Sequence, residues 1–399
     1  MSSLFVDIYA SQHGCEEFYY SNVPSEDAEN LGLCGGGIYR EVQVFIDDVL
    51  AGIVLPFPTI YTGGINPLAW RPISGIQSFD IISHKVDVTP FLGILMIPGD
   101  HTISLKVLGN NNEGYWFLDS CFIIQRNPSN YIESCTITSI MDEGASIVLN
   151  RNIDPPSYLY NTNGTHELSI SSSIKYSNVG VKTYTVSNTI EVYNTNDLIG
   201  ASSDYTIQSA KSKTSSSIDN ENQIIQEVSY PLYVYSFYNQ NNDTFDMSAD
   251  IKYGYERVNS YITKDTKYSI TINNNINTNA TYNRSTIDQS LVYKQSDASI
   301  SDYIVMSNSA VCYKSFCKAN DGYIESDAQS EMCKIPNRLT VCGYDICGTY
   351  DIDINNMSIH LANTKVSVLK QNNNIKDKMS YAHLNSADIE NTYRSNKLK

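Results

Sequence analysis

Residues 38–80 place a strand alternation, a tight turn and a proline-paced loop in immediate succession, and few architectures accept that order. Val42, Val44 and Ile46 alternate with Glu41, Gln43 and Phe45 at the two-residue period of a half-buried strand. Asp47-Asp48 supplies a turn, and Val49–Leu55 runs back, so the reading is a β-hairpin. Leu55-Pro56, Phe57-Pro58, Asn66-Pro67 and Arg71-Pro72 then each hold an extended residue before a fixed one, while Gly63-Gly64 permits positive φ between them. Such a loop is pre-organised. It carries Trp70 beside Arg71, an apolar plate next to a planar donor fork, which suits a sugar face and its hydroxyls or amide. The alternative makes Trp70 a core anchor and Arg71 a paired loop charge.

The rest of the chain repeats the strand theme. Phe5–Tyr9 alternates, Gln12-His13-Gly14 turns the chain, and Cys15–Tyr20 reads as another strand, followed by a turn-rich loop over Ser21–Gly37. Val86 and Val88 open a strand, Pro90–Ile97 is an apolar run short for a helix, and His101, Ile103, Leu105 and Val107 share a face that Asn110–Gly114 turns back into Tyr115–Ile124. Leu168, Ile170, Ile174 and Tyr176, then Tyr184, Val186, Ile190 and Val192, line single faces whose opposite positions are Ser, Thr, Lys and Asn, as in antiparallel sheets solvated on one side. Asn194–Asn222 reads as a polar connection before strand character resumes at Gln223–Tyr238. Helical periodicity is almost absent, which predicts an all-β fold of antiparallel β-sandwich or jelly-roll-like domains. The breaks predict a first domain over 1–126, a second β-sandwich-like region over 130–350, and an Asn-, Lys- and Ser-rich disordered tail over 369–399. The thirty tyrosines are strand formers and are expected to pack across strands.

The charge balance is acidic, 43 Asp plus Glu against 27 Lys plus Arg, net −16, which argues against nucleic acid or an anionic membrane surface as partner. Five of nine cysteines, Cys312, Cys317, Cys333, Cys342 and Cys347, fall close together, at gaps too long for the usual zinc spacing, so at least one disulfide is expected among them. Sequons at Asn163, Asn242, Asn279, Asn283 and Asn356 agree with a secreted chain, although no signal peptide precedes Leu4 and no apolar run is long enough to span a membrane.

Tyr39–Val42 (YREV), Pro56–Pro58 (PFP), Tyr61–Leu68 (YTGGINPL), Trp70–Ile73 (WRPI) and Phe79-Asp80, in that order and spacing, resemble the peptide N-glycosidase A family, amidases that cut N-glycans from asparagine. Cys15–Asn22 (CEEFYYSN) is similar to that family's acidic-acidic-Phe-Trp-Tyr-Ser-Asn segment, and Val86–Gly93 (VDVTPFLG) to a later element; weaker similarity continues to about Cys333. Tyr19 and Leu55 stand where the family has Trp, and the family's long N-terminal portion does not precede the motifs, so the expectation is a truncated member. The resemblance implies two β layers, a secretory or vacuolar setting, and an N-glycosylated peptide or protein as substrate.

Hydrolysing a carboxamide needs a carboxylate to activate water and donors for the developing oxyanion. Glu16 and Glu17 match the family's acidic pair; adjacent on a strand, they would point to opposite faces. Glu17 is the expected base, with Glu16 and Asp80 as further catalytic candidates, and Trp70, Arg71, Arg40 and Tyr61 as substrate-binding ones. Glu41, Asp47, Asp87 and Asp119 complete the nearby acids. Cys15 lies outside the family's motif and is expected to form a disulfide, with Cys34 as partner. No G-x-S-x-G elbow or phosphate loop occurs, and the chemistry calls for no metal or cofactor. The alternative function is a β-sandwich carbohydrate-binding or adhesion protein that retains the sugar platform without catalysis.

Overall fold

The computed structural model describes residues 3–331 except 110–113, 126–130, 201, 242, 264–266, 289 and 307–310, and beyond them only 339–343, 346–351 and 362–368. The chain is all-β. The first strands are β1 (Ser3–Gly14), β2 (Glu41–Ile46), β3 (Val49–Val54), β4 (His84–Asp87), β5 (Ile103–Leu108) and β6 (Gly114–Gln125). They form two three-stranded antiparallel sheets, β4-β1-β6 and β3-β2-β5. The expected hairpin is β2–β3, and its turn is made by Asp47 and Asp48 at φ 47° and 62°, the left-handed pair whose twist suits a two-residue hairpin. Val6 and Ile8 of β1 and Val42, Val44, Ala51 and Ile53 of the hairpin are buried in one core. The hairpin expected from β5 and β6 does not form: β5 pairs with β2 and β6 with β1, in different sheets.

The following strands are β7 (Ile132–Asp142), β8 (Ser146–Asp154), β9 (Ser157–Tyr176), β10 (Gly180–Ile199), β11 (Ser203–Ile218), β12 (Asn222–Gln240), β13 (Thr244–Ile262), β14 (Lys267–Ser285), β15 (Leu291–Met306), β16 (Val311–Asn320) and β17 (Tyr323–Glu331). They make one 11-stranded antiparallel sheet in the order β17 through β9 then β7, with β8 also on β9. Its inward residues, among them Leu168, Ile190, Leu232, Ile251 and Ile276, belong to the same buried cluster as the two small sheets. Residues 1–126 and 130–331 therefore share one core, and Ser2–Glu331 is one compact unit. A separate unit follows Glu331, in which β18 (Leu339–Gly343), β19 (Ile346–Asp351) and β20 (Ala362–Val368) pair antiparallel in that order.

Two local readings change. Cys15–Phe18 is a chain of turns and Tyr19–Ser21 a short 3-10 helix rather than a strand, because Gly14 at φ 64° ends β1 and the amides of Glu16 and Glu17 bond back to His13 and Gly14. The segment Asn194–Asn222, expected to be a connection, holds the end of β10 and the whole of β11. Its inward positions are polar and in the main paired: Asn194 donates to Gln208 at 3.1 Å and to the Tyr20 carbonyl at 2.8 Å, and Thr206 donates to Asn196 Oδ1 at 3.0 Å. Within the loop over Ser21–Gly37, Ser25–Leu31 forms α1, with Glu26 and Asp27 in its first turn and Gly32 as its left-handed stop. Among the described cysteines Cys15 and Cys34 form a disulfide, while Cys121, Cys135 and Cys317 are free. The remaining bonding expected at Cys312, Cys333, Cys342 and Cys347, the tail after 368, and the sequons at Asn242 and Asn356 lie outside the described side chains.

The strand β2 is buried on both faces rather than one, because β9 covers the polar side. There Glu41, wholly buried, accepts from the Tyr39 hydroxyl at 2.8 Å and from Gln43 at 2.9 Å, and meets His166 Nδ1 at 2.8 Å; His166 Nε2 meets Asp142 at 2.9 Å. Burial pulls the His166 pKa down, but the bond to Asp142 and the charge and bond of Glu41 outweigh it, leaving the pKa above the ordinary histidine value. A folded pKa above the unfolded one favours the native state below about pH 6.5, and that advantage is lost as pH rises through the raised value. Urea unfolding between about pH 5.5 and 8 should therefore show the gap between wild type and His166→Asn shrinking as pH rises; a gap independent of pH would contradict the charged clamp.

Candidate active site

The Glu-Glu pair sits on the turn that leaves β1, and its two carboxylates go to different environments. Glu16 is fully buried and forms a two-pronged ion pair with the equally buried Arg40, through Nε and, at 2.7 Å, through Nη2. Trp116 Nε1 donates to the same carboxylate at 2.8 Å. The remaining Arg40 nitrogen, Nη1, donates to the carbonyls of Gly37 at 3.0 Å and Tyr39 at 2.8 Å, and the guanidinium lies over the Tyr19 ring, 5.8 Å from its centre. Tyr19, standing where Trp was expected, is anchored by its hydroxyl on the Pro56 carbonyl at 3.1 Å. Arg40 thus pairs with Glu16, not with Glu41 or Asp80. These two expected site residues form the buried support of the turn.

Glu17, next in the chain, is only half-buried. Its charge is felt at Tyr61, where burial lifts the hydroxyl's pKa first, the Ser11 hydrogen bond lowers it, and Glu17 raises it again. The Tyr61 hydroxyl is 2.8 Å from Ser11 Oγ, which is 2.8 Å from His13 Nε2, giving a chain of three exchangeable groups. The imidazole of His13 is stacked between Tyr61 at 5.6 Å and Tyr115 at 5.5 Å, with the edge of Phe117 at 5.0 Å. Tyr115 and Phe117 are 54% and 63% exposed, so this stack is an open aromatic shelf. Register explains it: Ser11 pairs with Phe117 and His13 with Tyr115, and all four share the outer face of β1 and β6. Sequence reasoning had placed Tyr61 in the site but not Ser11, His13, Tyr115 or Phe117; the two-residue spacing of 11 with 13 and of 115 with 117 was the available signal.

The proline-paced loop plays another part. Trp70 is buried, donates to the Gly64 carbonyl at 2.8 Å and meets Tyr253 edge-on at 6.2 Å. Asn66 donates to the Ala280 carbonyl at 3.0 Å, Thr278 to the Ala69 carbonyl at 3.1 Å, and the Ile76 amide to the Tyr253 hydroxyl at 2.5 Å. The loop is docked on the inner face of the large sheet, and Trp70 offers no face to a sugar. The core-anchor alternative is the one observed. Arg71 and Asp80 lie exposed on this loop.

Residues 1–141 match the family described as peptide N-acetyl-beta-D-glucosaminyl asparaginase amidase A. A curated relative from Prunus dulcis, peptide-N4-(N-acetyl-beta-glucosaminyl)asparagine amidase A, is 43% identical over 118 residues, 29% of this chain. The chain spans about a fifth of the length of that relative, 20%. No solved structure matches the chain. The matched segment, residues 1–141, contains both acids of the turn, Arg40, the docked loop and both strands of the shelf, and it is this segment of the chain that is similar to the peptide N-acetyl-beta-D-glucosaminyl asparaginase amidase A family.

Proposed function

We propose that this chain is a glycoamidase hydrolysing the bond between the asparagine side chain and the first N-acetylglucosamine of N-glycosylated peptides or proteins. The observation that carries the reading is a half-buried carboxylate, Glu17, on the turn that leaves β1, the strand carrying Ser11 and His13 of the open aromatic shelf, close enough for its charge to be felt at Tyr61, all inside the family-matched segment. In this reading Glu17 takes a proton from water as its oxygen bonds to the amide carbon. The carbon–nitrogen bond then breaks, leaving aspartate and a glycosylamine; the departing nitrogen receives a proton from the Tyr61–Ser11–His13 chain, and the proton taken by Glu17 from water passes back through solvent to reload that chain. The shelf supplies apolar ring faces for sugar, and the buried Arg40–Glu16 pair fixes the turn that aims Glu17. A secretory or vacuolar lumen is proposed as the setting, supported by the Cys15–Cys34 disulfide.

The experiment is glycan release from a defined N-glycopeptide, with Asn-to-Asp conversion read by mass spectrometry. Within it, Tyr115→Ala combined with Phe117→Ala should weaken substrate binding by about 1–3 kcal/mol, by analogy with bases stacked on aromatic side chains, while kcat changes little. Both side chains are exposed, so the fold should persist. An unchanged KM and calorimetric affinity would remove the shelf from the substrate path.

A further inference from the structure

A strand at the end of a sheet offers a row of backbone amides and carbonyls to any further strand, and proteins guard such edges with brevity, charge, proline or bulges. Among the described residues, β4 is four residues long and β3 and β5 six each, β7 bears two register shifts, β8 carries Arg151 and Asp154, and β17 carries Glu325, Asp327 and Glu331. Strand β6 has none of these guards: it runs 12 residues in unbroken register with β1, holds no proline, and has Asp119 as its one charge. Its far half is apolar and open, with Phe122 40% and Ile124 48% exposed on the face where Trp116 and Leu118 pack against the core.

The direction of its backbone groups follows from β1. The Leu4 carbonyl accepts from the Val88 amide at 2.9 Å, on the β4 side, so the even residues of β1 serve β4 and the odd ones serve β6. Asp7 stands opposite Cys121, which makes the odd residues of β6 the ones bonded to β1 and turns the even ones to the open side. The Ser120 amide, one of these, bonds to the Asp119 carboxylate at 2.8 Å. Cys121 itself is exposed and free, and nine cysteines cannot all pair within one chain.

We propose that β6 pairs antiparallel with β6 of a second copy about a two-fold axis at Cys121, joining two three-stranded sheets into one. Ser120 then stands opposite Phe122 of the other copy, Leu118 opposite Ile124 and Asp119 opposite Ile123, so apolar groups are covered and no like charges oppose. The two Cys121 residues form a pair without backbone hydrogen bonds, whose Cα atoms lie about 4.5 Å apart, inside the roughly 4.4–6.8 Å that a disulfide spans. A small disulfide such as oxidised glutathione is the oxidant. One Cys121 thiolate attacks it and releases a glutathione thiolate; the other then attacks the Cys121 sulfur of the mixed disulfide and releases the second, the two thiol protons passing to the two leaving groups. The pairing runs in the plane of the sheet and leaves the Tyr115 and Phe117 rings uncovered, so it does not rest on the amidase reading.

The test uses the full chain at about 0.15 M salt, because its net charge of −16 opposes association where screening is weak. Sedimentation of Cys121→Ser should show a reversible monomer–dimer equilibrium. Wild type equilibrated with oxidised and reduced glutathione should give a covalent dimer, with a Cys121–Cys121 peptide found by mass spectrometry of the unreduced digest. In the Cys121→Ser background, Ser120→Pro removes an amide of the open edge and Phe122→Lys puts a charge on it; each should raise the dimer dissociation constant at least about tenfold with urea stability unchanged. Phe122→Lys decides alone if Ser120→Pro does not fold. A monomer at every concentration, a wild-type chain whose Cys121 ends as a mixed disulfide with glutathione, a dimer linked through another cysteine, or a dimer indifferent to the edge variants would overturn the proposal.

Discussion

Arg40→Ala should cost about 3–5 kcal/mol of unfolding free energy, a large share of the roughly 5–15 kcal/mol by which an ordinary domain is stable. The guanidinium is buried with Glu16 and makes its bonds to one carboxylate and to the Gly37 and Tyr39 carbonyls. Removing it leaves a buried carboxylate with Trp116 as its remaining side-chain donor and strips two carbonyls of their partner. The cost is that of an unpaired charge, not of a lost attraction: replacing Glu16 and Arg40 together by methionine should recover much of the deficit, since an ion pair exchanged for apolar groups of similar volume is often near neutral. Urea midpoints of the two single variants and the double variant give the comparison. A value for Arg40→Ala within about 0.5 kcal/mol of wild type, the range of ordinary surface changes, would mean that the turn is not built on this pair.

The contrast between what was and was not legible follows from where the partners lie in the chain. The β2–β3 hairpin was readable because its alternation and its Asp47-Asp48 turn are both local. The Glu41 environment was not, because His166 is distant in sequence and arrives on a strand whose inward histidine breaks the apolar pattern. Strand β11 was hidden for a related reason: Thr206 and Gln208 point inward, and only their partners on β10 make such positions acceptable in a core. The ordered nature of the loop over residues 55–80 followed from its prolines and from Gly63-Gly64, yet its role did not. An indole beside a guanidinium looks alike from sequence whether it meets a sugar or Tyr253. The two glutamates were recognisable as a pair, but that Glu16 is the one consumed by Arg40 depends on a contact across 24 residues.

That division of labour gives the second large expectation. Glu17→Gln should lower glycan release by about 10²–10⁴-fold, the usual contribution of a positioned general base, while glycopeptide affinity stays near wild type, because the amide of glutamine keeps the shape and loses only the ability to take a proton. Glu17 is half-buried, and its side chain takes no part in the hydrogen bonds between Arg40 and Glu16, so urea stability should be little altered. Asp80→Asn, on an exposed part of the docked loop, should retain activity. Loss of release without loss of stability is the pattern that separates a reacting carboxylate from a supporting one, since Glu16→Gln should lose both together.

The most direct measurement compares wild type, Glu17→Gln and Asp80→Asn on one N-glycopeptide, following release of the intact glycan and the mass gain of asparagine becoming aspartate, with binding measured calorimetrically on the same preparations. The account predicts release by wild type and Asp80→Asn, and none above about one hundredth of that rate by Glu17→Gln at unchanged affinity. Full release by Glu17→Gln, or binding without any release by the wild-type chain, would contradict it.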